Sequence, residues 1–161
     1  MRKWSVLLLL VVFAACSPTS KSATPTEPPG GALMAFGNHV AAVELAVTAP
    51  EWQKGLMNRK EMDPDHGMAF IFPSSQQLGF WMKDTLIPLS IAFMQRKQGQ
   101  TYRVAKILDM QPCPASAGNN CTIYNPNVSY DLALEMNLGW FRRNGVHVGS
   151  TGRLGRAPKK S

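Results

Sequence analysis

Three polar residues interrupt an apolar run near the middle of the chain. Lys83, Asp84 and Thr85 follow Trp81 and Met82, and apolar residues resume directly after them. Because a buried charge without a partner is costly, the lysine and the aspartate must reach water, a partner or a ligand. One interpretation is a concave pocket with Trp81 and Met82 as its floor and with Lys83 and Thr85 as polar contacts.

Two functional hypotheses follow for this segment. In the first, the protein is a binding module in which Lys83 and Arg59 offer cations to a small polar or anionic ligand. In the second, Asp84 and Lys83 are the acid and base of a hydrolase or isomerase that acts on an envelope component. A structural explanation is also open, in which Lys83 pairs with Asp84 at a strand bend and Thr85 holds the turn.

Other chemistry has weaker support in the sequence. The three histidines, His39, His66 and His147, share no short ligand spacing, so we expect no metal site. Neither a nucleophile elbow nor a glycine-rich phosphate loop is present, so we expect no cofactor. Four methionines would suit copper(I), although core packing explains them equally well: Met57, Met62, Met68 and Met82.

The N-terminus has the layout of an export signal. Arg2 and Lys3 precede an apolar stretch that is too short to span a bilayer, which needs about 20 apolar residues. The run Phe13-Ala14-Ala15-Cys16 resembles the lipobox of bacterial lipoproteins, with Phe13 in place of the commoner leucine. This resemblance implies cleavage after residue 15 and a lipid anchor on Cys16. An ordinary secretory signal is the alternative.

Residues 16–36 are predicted to form a flexible tether behind the lipidated cysteine. The stretch is rich in Pro, Ser, Thr and Gly, which bury too little surface to offset chain entropy. Ser17 follows Cys16, and by resemblance to enterobacterial sorting this favours the periplasmic side of the outer membrane in a Gram-negative cell. The expected location is therefore the cell envelope, with the membrane reached through the anchor.

The charge distribution restricts the partners further. The net charge of +7 falls to +5 when Arg2 and Lys3 leave with the signal. Residues 155–161 hold part of the remaining excess and predict a solvated basic tail, or a contact with anionic headgroups. Because no basic run is interleaved with aromatic residues, we expect no nucleic-acid partner. The oligomeric state is not indicated.

Two cysteines remain once Cys16 is acylated. Cys113 and Cys121 form an even pair in a chain predicted to be exported, which predicts a disulfide. The residues between them are all turn formers, and closing so short a loop stabilises a fold by about 2–3 kcal/mol. A redox-active pair is the alternative, but the spacing is not C-x-x-C.

Periodicity divides residues 37–154 into short strands and two short helices. Thr48 and Glu51 fit a capping box for a helix that runs to about Asn58, and Asn137 is predicted to cap a helix that runs to Asn144. Residues 73–77 are predicted to form a loop. Alternation predicts strands over 39–48, 67–72, 102–110, 130–136 and 146–154. The pattern predicts one α+β, mainly β domain with a small barrel-like antiparallel or mixed sheet.

Three blocks stand out along this domain. They read GLMNRKEMDPDHGMAFIF, FWMKDTLIPLSIAFM and YDLALEMNLGWFRRNGVHVGSTGRL. Together they resemble the domain of unknown function 192, also called the UPF0127 family, over about residues 38 to 154. The block FWMK-x-TLIPL is the most specific part. The resemblance implies a compact β-rich fold found alone or behind export signals, and it implies no established activity.

The chain departs from the family pattern at two positions of the second block. Asp84 stands where the family usually has Asn, and Ser90 where it usually has Asp, so a role that rests on either side chain is altered in charge. Because the family assigns no reaction, the binding and enzyme hypotheses stay beside a third. In that third hypothesis the domain is a structural or assembly partner of envelope proteins and uses exposed Trp140 and Phe141.

Overall fold

The computed structural model describes residues 31–156. The predicted signal, the lipidation candidate Cys16, most of the predicted tether and the end of the basic tail lie outside the described residues. Within the described part, no helix is long and apolar enough to cross a membrane.

Nine strands and two short α-helices make up this part of the chain. The helices are α1 (Ala49–Lys54) and α2 (Trp140–Arg143), and a 3-10 turn covers Ala115–Ala117. The strands are β1 (Ala32–Phe36), β2 (His39–Ala46), β3 (His66–Gln76), β4 (Phe80–Trp81), β5 (Leu89–Arg96), β6 (Thr101–Met110), β7 (Ile123–Tyr124), β8 (Tyr130–Asn137) and β9 (Thr151–Arg156).

Seven of these strands close into a barrel, in the order β1-β2-β3-β8-β5-β6-β9. Strands β2 and β3 pair in parallel, and every other pair of neighbours is antiparallel. Strands β4 and β7 form a separate two-stranded ribbon. The fold confirms the prediction of a mainly β, mixed, barrel-like sheet with two short helices.

Alternation along β8 gives the barrel two cores. Leu132, Leu134 and Met136 pack inside the barrel, whereas Ala133 belongs to a second cluster on the outside. Because successive side chains of a strand point to opposite faces, Glu135 lies on the same outer face as Ala133.

A covering layer shields this outer face of β3, β5 and β8. Leu56, which follows α1, and Met82, which follows β4, are buried there against Phe70 and Ile91. Cys113 and the segment around it complete the layer. The outer face is thus a second core, and the candidate site lies inside it.

Strands β3 and β8 approach each other closely at Gly67. A Cβ atom added at Gly67 would overlap the carbonyl oxygen of Glu135 and the Sδ atom of Met136. Glycine is therefore required at this point so that β3 can lie beside the part of β8 that carries Glu135.

The predicted strands over 39–48, 67–72 and 102–110 and the helix predicted after Thr48 agree with the structure, apart from their ends. Helix α1 ends at Lys54 instead of about Asn58, because Gly55 leaves the helical conformation with φ 45°. Strand β3 continues through the residues predicted as a loop, and Gln76 still pairs with Tyr130 beyond an irregularity in the register. The proline at 73 did not end the strand.

The C-terminal part differs more from the prediction. Asn137 is the last residue of β8 and does not cap a helix, since α2 begins after Gly139, whose φ is 75°. The last strand begins at Thr151 instead of residue 146. A turn occupies the residues before it, in which the His147 N–H donates to Ser150 Oγ over 3.0 Å.

The barrel also begins earlier and ends later than the predicted domain of residues 37–154. Strand β1 lies within the stretch predicted as tether, and it pairs with both β2 and β9. Its residues Ala32, Met34 and Phe36 are buried in the barrel interior. A five-residue strand without a polar residue gives no alternating signal, which explains why its place in the sheet was missed. Strand β9 extends to Arg156.

Candidate functional site

A small cavity lies between α1, the outer face of β8 and residues 80–85. Its volume is about 30 Å³, which is more than the roughly 10–15 Å³ that one ordered water molecule needs. We call it the inner cavity. Its lining includes the polar residues Gln53, Lys54, Lys83, Thr85 and Glu135 and the aromatic residues Trp52, Phe70, Phe80 and Trp81.

Glu135 is the only buried acidic or basic residue within residues 31–156. Its exposed fraction is 4%, and no ion pair joins its carboxyl to a described residue. Burial alone raises the pKa of Glu135 to about 8. The carboxyl therefore keeps its proton at neutral pH and can donate a hydrogen bond.

The carboxyl oxygens of Glu135 reach the inner cavity. In the described part of the chain, no buried side-chain nitrogen or oxygen that is sealed from solvent lacks a hydrogen bond. Since Glu135 makes none with its side chain and lines the cavity, its oxygens must open onto that space. A polar group placed there would meet the carboxyl directly.

Lys83 lies half-buried in the lining of the same cavity. Its Nζ donates to Asn119 Oδ1 over 3.3 Å and lies 5.3 Å from the ring centroid of Trp81. Neither contact neutralises the ammonium charge. Among the described residues no ion pair joins Lys83 to Asp84, so that part of the structural explanation is wrong. Thr85 does close the turn, since its N–H donates to the Met82 carbonyl over 2.9 Å.

The backbone around Asp84 is fixed from two sides. Asp84 has a left-handed φ of 55°, and its carbonyl oxygen accepts the Asn58 N–H over 2.7 Å. The Thr85 carbonyl accepts the Cys113 N–H over 3.1 Å. The buried Thr85 hydroxyl donates to the Lys83 carbonyl over 3.4 Å, which is long for a hydrogen bond and leaves the hydroxyl free to turn toward a better acceptor. The Asp84 side chain lies outside the lining of the inner cavity.

The predicted disulfide is present and supports one side of the site. Cys113 and Cys121 are bonded with their Cα atoms 5.8 Å apart. Cys113 forms isolated bridges with both Lys83 and Thr85, and Asn119 inside the disulfide loop accepts the Lys83 hydrogen bond. The loop therefore helps to set the position of the ammonium group.

Helix α1 is anchored at its start. The Glu51 carboxylate accepts the backbone N–H groups of Val47 and Thr48, each over 2.8 Å, and these hydrogen bonds lower the pKa of Glu51. The Trp52 Nε1–H donates to the Ala46 carbonyl over 2.9 Å. These contacts confirm the predicted helix start and hold Trp52 over the outer face of the sheet.

A wider groove with aromatic walls adjoins the inner cavity on one side of α1. Its volume is about 260 Å³, and we call it the aromatic groove. It shares Trp52, Phe80 and Trp81 with the inner cavity, and it extends to Phe72, Leu78 and Tyr130. Trp81 is 45% exposed and Leu78 69% exposed. Apolar surface left open beside a polar cavity is suited to the apolar body of a ligand.

The two residues predicted to form the floor of the pocket have different positions. Trp81 lines both the inner cavity and the aromatic groove. Met82 is 1% exposed and packs in the outer core. The prediction that Met82 is a floor residue is therefore wrong, because its side chain is buried in the outer core and is absent from the lining of the cavity.

Arg59 does not share the inner cavity with Lys83. Its Nη1 lies 2.7 Å from Glu44 Oε1 on β2. Both residues line a separate groove of about 400 Å³ on the other side of α1, which we call the polar groove. The expectation that Arg59 is a second cation beside Lys83 is therefore wrong, since its charge is already paired elsewhere.

The largest of these spaces lies at one end of the barrel. This barrel-mouth pocket has a volume of about 500 Å³, and Ser90, Asp109, Gly139 and Arg142 are in its lining. The Ser90 hydroxyl donates to Asp109 Oδ1 and accepts the Gly139 N–H over 2.8 Å. Ser90 is one of the two positions at which the sequence is expected to depart from the family pattern.

The aromatic pair suggested as an assembly surface is buried. Trp140 and Phe141 are 1% and 2% exposed and pack in the barrel interior. The Trp140 Nε1–H donates to Asp65 Oδ1 over 2.8 Å. The prediction that they form an exposed patch is wrong. Between residues 31 and 156, no group of three or more His, Cys, Asp or Glu residues could hold a metal ion.

Glu135 is the residue that sequence reasoning did not rank. On β8 the side chains Leu132, Leu134 and Met136 predict one buried face, and a glutamate between them looks like the solvent face of a half-buried strand. The signal that could have drawn notice is the apolar residue Ala133 on the same face as Glu135, which weakens the alternation.

Comparisons with known proteins agree with this fold. The model of the DUF192 family, described as "Uncharacterized ACR", matches residues 32–154. A crystal structure of a candidate transcription regulator from Sinorhizobium meliloti 1021 is similar at 31% identity and a TM-score of 0.62, over 77% of this chain and 90% of that one. A protein of unknown function from Novosphingobium aromaticivorans is similar at 29% identity and a TM-score of 0.63, over 83% and 93%. No curated protein matches. The chain belongs to the DUF192 family.

Proposed function

We propose that this protein is a membrane-tethered module that binds a small ligand in the inner cavity and the aromatic groove. The inner cavity takes one polar group of the ligand, and the groove takes an apolar body. The sides of the site come from α1 and from residues 80–85, and its base is the outer face of β8.

One observation carries this proposal, namely the Glu135 carboxyl, which is buried, without a partner and open to the cavity. Burying this acid costs free energy at neutral pH, because the folded chain must keep a proton that the unfolded chain releases. Proteins retain groups that destabilise the fold in this way chiefly at functional sites. An aliphatic side chain at this position would pack against its neighbours Met68 and Ile91 without that cost.

The position of Asp84 supports binding over acid–base catalysis. Its side chain lies outside the inner cavity, and the groups in that cavity include no nucleophilic pair of the kind that acyl or phosphoryl transfer uses. We therefore propose no reaction for the site.

The tether is part of the same proposal. Export through the signal of residues 1–15 would leave Cys16 acylated and the domain on the periplasmic side of the outer membrane in a Gram-negative cell. The Cys113–Cys121 disulfide supports export, because disulfides persist in oxidising compartments.

A thermal-shift screen tests the binding site. Residues 17–161, which keep every described residue, are screened against small carboxylates, amines and alcohols that carry apolar bodies. We expect at least one class to raise the melting temperature, and Trp81→Ala and Thr85→Val to remove the rise. Val47→Ala is the control, because Val47 is exposed and outside both spaces. A screen without any stabilising compound, or hits that both site variants leave unchanged, would overturn the binding role.

Labelling of cells with radioactive palmitate tests the anchor. We expect the full chain to be labelled and to sediment with membranes, and Cys16→Ser to lose the label and to keep its signal uncleaved. A full chain that takes up no label, or a Cys16→Ser chain that is labelled equally, would exclude the proposed tether.

A further inference from the structure

We infer that Leu78, Trp81 and Ile123, which lie exposed on and beside the β4–β7 ribbon, contact the phospholipid surface to which the protein is tethered. We call these three residues the apolar patch. The inference rests on the proposed lipid anchor and goes beyond it, because it states which face of the domain the membrane covers.

The apolar patch gathers three of the six large apolar side chains that stay exposed in residues 31–156. Trp81 pairs directly with Ile123 across the ribbon, so the two side chains point to the same face. Gly79, which follows Leu78, lies against Ile123, since a Cβ atom added at Gly79 would overlap Ile123 Cγ2. The three residues therefore form one continuous surface, in which Ile123 is 60% exposed.

The opposite face of the ribbon is packed against the domain. Phe80, which precedes Trp81 on β4, has its ring centroid 5.7 Å from that of Phe93 in the outer core. Since successive side chains of a strand alternate, this packing holds Trp81 on the outside. The Tyr130 hydroxyl donates to the Leu78 carbonyl over 2.8 Å and fixes the backbone there. An apolar cluster that is held outward in this way indicates an interaction surface.

The charges around the apolar patch suit a phospholipid surface. The segments that carry it, residues 71–83 and 110–130, contain no Asp or Glu, and Lys83 is their single charged residue. The Lys83 Nζ lies 5.3 Å from the ring centroid of Trp81, and the acid that follows, Asp84, is half-buried. At a bilayer the indole lies at the level of the headgroups while a lysine beside it reaches the phosphates.

The strand directions put the apolar patch on the side of the domain from which the anchor leads away. Strand β1 is antiparallel to β2, and β2 is parallel to β3, so the start of β1 and the end of β3 point the same way. Leu78 follows the end of β3. The chain that leads back from Ala32 to Cys16 therefore leaves the barrel in the direction of the patch.

The predicted tether is short enough to hold the apolar patch near the bilayer. Residues 17–31 separate Cys16 from the first residue of β1, and a coil of that length averages about 20 Å between its ends. A short tether gives the attached group an effective concentration on the order of millimolar. A weak contact between the patch and the lipid surface is therefore sufficient to keep the domain in this orientation.

Quenching of tryptophan fluorescence by brominated lipid tests the orientation. Residues 16–161 are coupled through the Cys16 thiol to a maleimide lipid, in vesicles of brominated phosphatidylcholine with a minor share of phosphatidylglycerol. Cys113 and Cys121 are bonded to each other, so only Cys16 reacts. We expect the vesicles to quench the emission and Trp81→Phe to lose most of the quenching, because Trp140 is buried in the barrel and Trp52 is half-buried.

Variants of the other patch residues separate the patch from apolar surface in general. Leu78→Ser and Ile123→Ser should each reduce the quenching at least about twofold, since each removes an exposed apolar side chain from the contact. Val148→Ser is the matched control, because Val148 is 58% exposed but lines the barrel-mouth pocket. It should leave the quenching unchanged.

Two results would overturn the contact with the bilayer. One is equal quenching in the parent and in Trp81→Phe, or in Leu78→Ser and Val148→Ser. The other is a dimer of residues 17–161 in solution that Leu78→Ser and Ile123→Ser dissociate, since the apolar patch would then belong to a second copy of the chain. The chemical coupling replaces the natural anchor, so these results do not depend on acylation in the cell, and a chain that takes up no palmitate would count against the anchor itself.

Discussion

Replacing Glu135 by glutamine should stabilise the domain at neutral pH and have far less effect at pH 4. The two side chains have nearly the same shape, and Glu135 is 4% exposed, so the main difference is that only the glutamate can ionise. The comparison therefore isolates the cost of keeping an ionisable acid in the outer core.

The sign follows from the pKa of the folded state. Burial raises the pKa of Glu135 from its ordinary value of 4.5 to about 8. Below pH 4.5 both the folded and the unfolded chain hold the proton, and nothing is lost. Between pH 4.5 and 8 the unfolded chain releases its proton and the folded chain does not, so stability falls as the pH rises through this window and levels off above pH 8.

The magnitude follows from the same two values. At pH 7 the unfolding free energy is lower by about 3 kcal/mol, and at pH 4 it is lower by only a few tenths of a kcal/mol. Since Glu135→Gln removes the loss, the difference in unfolding free energy between variant and parent should grow by about 3 kcal/mol from pH 4 to pH 7. For a domain of this size that corresponds to a rise in Tm of about 10 °C at pH 7.

Urea unfolding at pH 4 and at pH 7 measures the effect. Using the change between the two pH values cancels the cost of burying the amide, which does not depend on pH. Glu61→Gln is the matched control, since Glu61 is exposed and should show no growing difference. The reasoning is refuted if variant and parent have equal unfolding free energies at both pH values. It is also refuted if the variant is less stable than the parent at pH 7.

Three further predictions concern how the site is held. Reducing the Cys113–Cys121 disulfide should lower the free energy of unfolding by about 2.5 kcal/mol and weaken ligand binding. Calorimetry with and without reductant measures both effects, and unchanged ligand binding would contradict the role of the loop. Asp84→Ala should cost about 1 kcal/mol, because Asp84 has a left-handed φ, whereas Asp84→Asn should be almost neutral by chemical denaturation; the reverse order would rule out this explanation. Gly67→Ala should cost about 2–3 kcal/mol because of overlap with β8, and Gly155→Ala, where an added Cβ meets nothing, should be nearly neutral in the same assay.

The strands could be predicted because their signals are local. In β2 and β8 every second residue is apolar, and in β8 the buried residues Leu132 and Leu134 are the ones that the pattern indicates. The disulfide also followed from composition and compartment, since only one pair was possible once Cys16 was set aside. These features depend on a few neighbouring residues and not on the path of the whole chain.

The site itself depends on contacts between distant parts of the chain. Glu135 is buried because α1 and residues 80–85 cover β8, and no pattern within β8 indicates that cover. Arg59 was expected beside Lys83 because both lie in family blocks, but it pairs with Glu44 on β2. The burial of Trp140 also has no local signal, since a four-residue helix is too short to show a periodic face.

At Ser90, where we expect the family to have an aspartate, the structure places a carboxylate from the neighbouring strand. An aspartate at this position would place a carboxylate next to the Gly139 N–H. Here the Ser90 hydroxyl accepts that N–H, and it donates in turn to Asp109, its direct partner across the β5–β6 pair.

The carboxylate at this point comes from the neighbouring strand, and the hydroxyl links it to the Gly139 N–H. A hydroxyl has one donor and can accept at the same time, which a carboxylate alone cannot do. Ser90→Ala should therefore break the contact to Gly139 and loosen the start of α2. Ser90→Asp would place two carboxylates side by side, so we expect it to be tolerated only together with Asp109→Asn or Asp109→Ser.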